Sequence, residues 1–156
     1  MRLRIAQMSD LNEMKKLYVE TIKFICCKDY NDEQTAVWAS TAGNTDRWNN
    51  MIKNQLVIIA EKNNKIVGYG TLDNGNYIDF FYIHKDFQGQ GIANHILAQI
   101  ETHAKKTGTI RLSSDVSITA RPFFEKKGFQ VLKEQKNIRN GVELINFKME
   151  KALSSL

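Results

Sequence analysis

The chain has 156 residues, enough for one domain around a single core, and one domain is expected over residues 1–156. Its 42% hydrophobic and 25% charged content is ordinary for a globular protein, and no apolar run approaches the ~20 residues of a membrane helix. The net charge of +5 is spread along the chain, without the basic run interleaved with aromatics that marks a nucleic-acid binder.

The first residues, Met1-Arg2-Leu3-Arg4-Ile5, carry no sign of a secretory signal, which points to a cytoplasmic protein, and Leu3 to Ile5 reads as a short strand. Asp10 is expected to open a helix, with Glu13 as its reciprocal capping partner. Leu11, Met14, Leu17, Tyr18, Ile22 and Ile25 give that helix one apolar stripe. Cys26 and Cys27 are adjacent, a spacing that rarely forms a disulfide, and are expected to be free thiols. They lack the further ligands that a metal site needs, so no metal is expected. Asp29-Tyr30-Asn31 breaks the pattern. Short helices are expected at Asp32 to Ser40 and at Thr45 to Asn54.

The middle of the chain changes character. Leu56 to Ala60, Ile66 to Leu72 and Tyr77 to Ile83 are strands separated by polar turns, an antiparallel meander. A glycine-rich loop and a helix to about Lys106 follow, with Ile92, Ile96, Leu97, Ile100 and Ala104 at helical spacing. Thr109 to Ser113 is then a strand reached by a helical crossover, so it should lie parallel to Tyr77–Ile83. A helix from about Thr119 to Lys127 has Pro122 in its first turn and Gly128 after its last. Gln130 to Ile138 and Val142 to Lys148 form a hairpin about Asn140-Gly141. The fold class is mixed α/β.

Gln88-Gly89-Gln90-Gly91-Ile92-Ala93 lies between a strongly apolar strand and an amphipathic helix. The first N–H groups of a helix have no internal partner and the dipole is positive there, so this turn is an anion site. Gly89 and Gly91 permit close backbone approach. The P-loop pattern is absent, and the third glycine of the dinucleotide fingerprint is replaced by Asn94.

The Q-x-x-G-x-A string after Phe81-Tyr82-Ile83 resembles the coenzyme A loop of the GNAT superfamily of N-acetyltransferases. Ala120 to Phe129 resembles the superfamily's later A-x-x-x-[YF]-E-x-x-G-F segment, and the order of elements agrees. The resemblance implies a mostly antiparallel sheet with a central parallel strand pair, flanked by helices. It implies acetyl transfer from acetyl-coenzyme A to a primary amine, taken as that of a small molecule, by direct transfer. Gln88, Gly89, Gln90, Gly91, Ile92 and Ala93 would hold the pyrophosphate. Phe81, Tyr82 and Ile83 would bind the pantetheine arm through their backbone, and an amide near Ile83 would stabilise the oxyanion. A homodimer is compatible with the resemblance.

Asp79 is the candidate general base, as the one acid in an apolar strand that leads to this site, and the competing reading is a structural carboxylate. Many members carry Tyr where this chain has Phe124, and Phe cannot protonate a departing thiolate. Ser114, Ser117, Tyr82 or water are the substitutes, and Phe124 is expected to pack against cofactor or core. Tyr30, Asp32 and Trp38, with Asp29 and Gln34 nearby, are the candidate substrate-binding residues because carboxylates and aromatics suit a cationic amine. His84 stands near the loop, within possible reach of either ligand. A non-catalytic acyl-coenzyme A sensor on the same fold and, third, a nucleic-acid-binding module are the alternatives.

Overall fold

The computed structural model describes residues 1–154 and arranges them as seven strands and five α-helices. The strands are β1 (Arg2–Ile5), β2 (Leu56–Lys62), β3 (Lys65–Asp73), β4 (Tyr77–Ile83), β5 (Arg111–Ser117), β6 (Gln130–Arg139) and β7 (Val142–Ala152). The helices are α1 (Leu11–Phe24), α2 (Asp32–Ala39), α3 (Thr45–Asn54), α4 (Ile92–Lys106) and α5 (Arg121–Lys126). Among the described residues no helix is long and apolar enough to cross a membrane.

One sheet runs in the order β1-β2-β3-β4-β5-β7-β6. Only β4 and β5 pair in parallel, because α4 carries the chain back to the end of the sheet at which β4 began, as a crossover does. The β6–β7 hairpin turns at Asn140 and Gly141, both at positive φ, and β7 inserts between β5 and β6. Another two-residue turn, Asn63-Asn64, joins β2 to β3, again with both φ values positive.

Each face of the sheet carries its own core. Ile96 and Ile100 of α4 and Phe124 of α5 pack on Leu112, Val116 and Met149. On the other face Met14 and Ile22 of α1 and Trp48 of α3 pack on Ile59, Tyr69 and Phe80. The apolar stripe on α1 is thus the side that is buried.

Three local expectations are corrected. Glu13 does not cap α1: its carboxylate accepts the Ile66 amide at 2.8 Å, fixing the helix to β3. Asp10 instead accepts from the Gln7 amide at 2.7 Å and from the Arg4 guanidinium at 2.9 Å, in a turn that precedes the helix. The strand expected from Thr109 begins at Arg111 and runs on to Ser117, since Thr109 is used to hold the Gly75 carbonyl at 2.6 Å. The helix expected from Thr119 begins at Arg121, after the Ser117 hydroxyl accepts the Ala120 amide.

Helix α4 lies close to β3 because the strand presents glycines beneath it. A Cβ on Gly70 would stand 2.7 Å from Ile96 Cγ2 and 3.0 Å from Ile100 Cδ1. Gly70→Ala should therefore cost about 1–3 kcal/mol through overpacking. Gly43→Ala, with nothing within 4 Å of the added carbon, should leave the urea midpoint nearly unchanged.

Candidate active site

The site begins at an irregularity in β4. Gly70 faces Phe81 and Leu72 faces Ile78, so Thr71 alone stands opposite two residues, Asp79 and Phe80. This is a β-bulge, which bends a strand and can end its pairing. The Phe80 amide donates to the Thr71 hydroxyl at 3.0 Å, and Thr71 is fully buried. The extra residue also resets the alternation of side chains. Ile78 and Phe81 pack toward α4, whereas Phe80 and Tyr82 pack toward α1.

Beyond the bulge β4 parts from β5. Their register covers only Tyr77↔Ser113 and Ile78↔Ser114. Ser114 sits at the fork, buried, with its hydroxyl donating to the Ile78 carbonyl at 2.8 Å. The His84 amide bonds to Val67 on the β3 side, so alternation turns the amides of Ile83 and Phe81 toward the opening. Thr21 of α1 and the Gln88 carboxamide donate to the Ile83 carbonyl at 2.9 and 2.7 Å, fixing the strand end to helix and loop.

The opening is a cleft of about 620 Å³ that passes between the two faces of the sheet. That volume is within the range of small-molecule sites. On the α4 side it is lined by Gly89, Gly91, Ile92, Ala93 and Asn94 and walled by Phe81, Phe123 and Phe124. Gly91 is the N-cap of α4 at φ +81°, with no side chain capping the helix. The first amides of α4 are left as donors at the positive end of a helix dipole. Gln90 is exposed and, unlike its neighbours Gly89 and Gly91, does not line the cleft.

The opposite end is polar. Both oxygens of Asp79 accept from the Arg47 guanidinium at 2.6 Å, and Gln55 donates to one of them at 2.7 Å. Arg47 also lies 4.4 Å above the Phe80 ring. Trp38, Tyr18 and Tyr82 stand in edge-to-face or tilted contact around the same end. Burial pushes the Tyr18 and Tyr82 hydroxyls up in pKa, so they stay protonated near neutral pH.

The expected acceptor-site residues divide. Trp38 and Tyr30 line the cleft. The Tyr30 hydroxyl donates to the Ile145 carbonyl at 2.5 Å and accepts the Ile118 amide, so only its ring is available. Asp32 does not reach the cleft; it is exposed in the first turn of α2, whose cap is Asn31 in a reciprocal box with Gln34. Asp29 is held by the Thr119 hydroxyl at 2.7 Å. His84 is buried outside the lining, with Nδ1 accepting the Asp86 amide. Phe124 is buried against Phe81, Phe123 and Phe129 and also borders the cleft. Cys26 is a buried free thiol pushed up to about 11 by burial, whereas Cys27 is exposed. Arg47, Asp115 and Arg139 also line the cleft and were not among the expected residues.

A family model described as an acetyltransferase (GNAT) domain matches residues 26–151. The chain belongs to the GNAT acetyltransferase family. This GNAT domain is 26% identical over 148 residues to the uncharacterized N-acetyltransferase YafP of Escherichia coli K12, covering 95% of the chain and 93% of that protein. It superposes with a TM-score of 0.93 on a GCN5-related N-acetyltransferase from Rhodopseudomonas palustris, with 29% identity, covering 97% and 95% of the two chains. The PaiA N-acetyltransferase of Thermoplasma acidophilum, solved in complex with coenzyme A, shares the fold at a TM-score of 0.76 and 19% identity, over 97% and 99% of the chains. The GNAT fold here includes the parallel β4–β5 pair expected from the sequence.

The bulge gives a direct test. Thr71→Val removes the acceptor of the buried Phe80 amide and should cost about 1–3 kcal/mol in urea unfolding. Thr71→Ser, which keeps the hydroxyl, should recover most of that loss.

Proposed function

We propose that this protein transfers the acetyl group of acetyl-coenzyme A to the primary amine of a small molecule, directly and within one complex. The observation that carries this reading is the opening between β4 and β5. It runs unbroken from the uncapped start of α4 to the polar end beside Arg47 and Asp79.

The residues fit the group. The amides of Gly89, Gly91, Ile92 and Ala93 suit a pyrophosphate, because a helix N-terminus stabilises negative charge. Gln88 shapes the loop by binding the Ile83 carbonyl, and Gln90 borders it from the solvent side. The free backbone of Phe81, in the same strand as Tyr82, suits an extended arm with amide groups, and the rings of Phe81 and Phe124 exclude water from it. The Ile83 amide, at the loop end of the same edge, would hold the arm, and the Phe81 amide, nearer the polar end, suits the charge that develops on the thioester oxygen. Acetyl-coenzyme A supplies an activated acetyl group. The amine nitrogen bonds to the acetyl carbon, the carbon–sulfur bond breaks, and sulfur takes the electron pair. The proton shed by the amine finishes on the coenzyme A thiol.

The proton route differs from a simple Asp79 base. Its two oxygens already serve three donors, one pair of them a bidentate guanidinium, and protonation would break that pair. We assign Asp79 to holding Arg47 in place, with water in the cleft as the carrier of the amine proton. Ser114 keeps the fork closed through Ile78 and acts by positioning β4. Phe124 offers no proton, and a thiol with a pKa near ~8.5 leaves without a strong acid. Trp38 and the Tyr30 ring form the apolar wall for the acceptor.

Purified protein mixed with acetyl-coenzyme A and a panel of small primary amines should release free thiol in proportion to acetylated amine seen by mass spectrometry. Tight coenzyme A binding with no thiol release above hydrolysis for any amine would contradict the proposal and support an acyl-coenzyme A sensor.

A further inference from the structure

The charges that line the cleft are few. They are Arg47, Asp79, Asp115 and Arg139. Arg47 and Asp79 satisfy each other in a two-bonded pair, which leaves one cation and one anion.

Arg139 ends β6. Its guanidinium donates to the Thr41 hydroxyl at 3.3 Å, across 98 residues of sequence, and bridges the rim between the sheet and the turn after α2. Among the described residues it has no carboxylate at ion-pair distance. Asp115 is its counterpart on β5. It accepts from the Tyr77 hydroxyl at 2.8 Å and from Gln135 Nε2 at 2.9 Å. Lys148 lies opposite it in register, and Lys133 lies beyond Lys148, yet neither forms an ion pair with it. The hydrogen bonds that fix the carboxylate therefore come from neutral donors.

The two charges belong to one wall. Gln135, Asn137 and Arg139 alternate along β6 and share a face. Gln135 Nε2 and Asn137 Nδ2 both donate to Asn146 Oδ1, at 2.9 and 3.0 Å. A fixed row of amides thus connects the Asp115 end of the wall with the Arg139 end. Asp115 stands level with Lys148 and Arg139 with Val142, six positions apart along β7, a rise of about 20 Å that the reach of both side chains shortens, so the ligand that bridges them is an elongated one.

We propose that the acceptor is an amine that also carries a carboxylate. Asp115 receives its ammonium before deprotonation, and Arg139 receives its carboxylate, so that the two charges select a zwitterion. A planar guanidinium grips a carboxylate through two parallel bonds, and Asp115 gives the amine a place on the β5 edge of the opening. Trp38 then packs on the carbon skeleton between the charges. This inference rests on the acetyl-transfer reading and narrows its substrate class.

The test compares a series of free amino carboxylic acids of increasing chain length with the matching carboxamides, using thiol release and mass spectrometry. The best free acid should exceed its carboxamide by about tenfold or more in kcat/KM, as expected for loss of one charge-assisted bond. Arg139→Met should collapse that ratio toward one, chiefly through KM, and Arg139→Lys should retain part of it. Asp115→Asn should weaken acids and carboxamides alike. Calorimetric binding of coenzyme A to each variant shows that it is folded. Equal use of acid and carboxamide, or a ratio that survives Arg139→Met, would overturn the inference while leaving acetyl transfer standing. Acetylation of neither kind, while simple amines of the panel are acetylated, would also overturn the inference; acetylation of no amine at all, with coenzyme A still bound, would remove the acetyl-transfer reading and this inference with it.

Discussion

The hydrogen bond from the Phe80 amide to the Thr71 hydroxyl holds the arrangement on which the site depends. An extra residue in a central strand leaves an amide without a partner in the ladder, and a buried orphan amide costs about 1–3 kcal/mol. Thr71 supplies that partner from within β3. The bulge can then persist, and β4 bends away from the parallel strand beside it. Without the bend, the register that pairs Ile78 with Ser114 would carry on to place Phe81 opposite Ser117, and the sheet would have no opening.

The bend also sorts side chains. Asp79 and Phe80 both fall on the α1–α3 side, where Arg47 meets the acid and lies over the ring. Phe81 falls on the opposite side against Phe123 and Phe124. One end of the opening is therefore apolar and close to the α4 terminus, and the other is charged and aromatic. A ligand with a phosphate head, an extended arm and a reactive end would meet matching chemistry in that order. The rigid backing comes from the close seating of α4 on β3, which Gly68 and Gly70 permit.

Much of the fold is legible in local pattern. The meander, the crossover helix and the Asn140-Gly141 hairpin follow from periodicity and turn chemistry that neighbouring residues determine. The glycine loop is legible for the same reason, since Gly89 and Gly91 occupy positive φ. The bulge is not, because one threonine in a buried strand gives no signal until its partner across the ladder is known. Arg47 is likewise invisible as the partner of Asp79, being 32 residues away on a helix of its own. Asp32 shows the converse: an acid beside aromatics in sequence is turned to solvent because Asn31 starts the helix. Asp115 carried a faint signal in the alternation of Leu112, Ser114 and Val116 with Ser113, Asp115 and Ser117. Arg139 carried none, since its proximity to Thr41 depends on how β6 meets the turn after α2.

The acetyl donor is proposed to lie in the opening created at the bulge. Amide hydrogen exchange with and without coenzyme A tests this placement most directly, because the amides concerned belong to known positions and those outside the cleft serve as controls. Slower exchange is expected at Phe81, Ile83 and residues 89–94 on binding, with β1 and the outer part of β2 unchanged. Saturating coenzyme A that leaves Phe81 and Ile83 unaltered while protecting some other surface would contradict it.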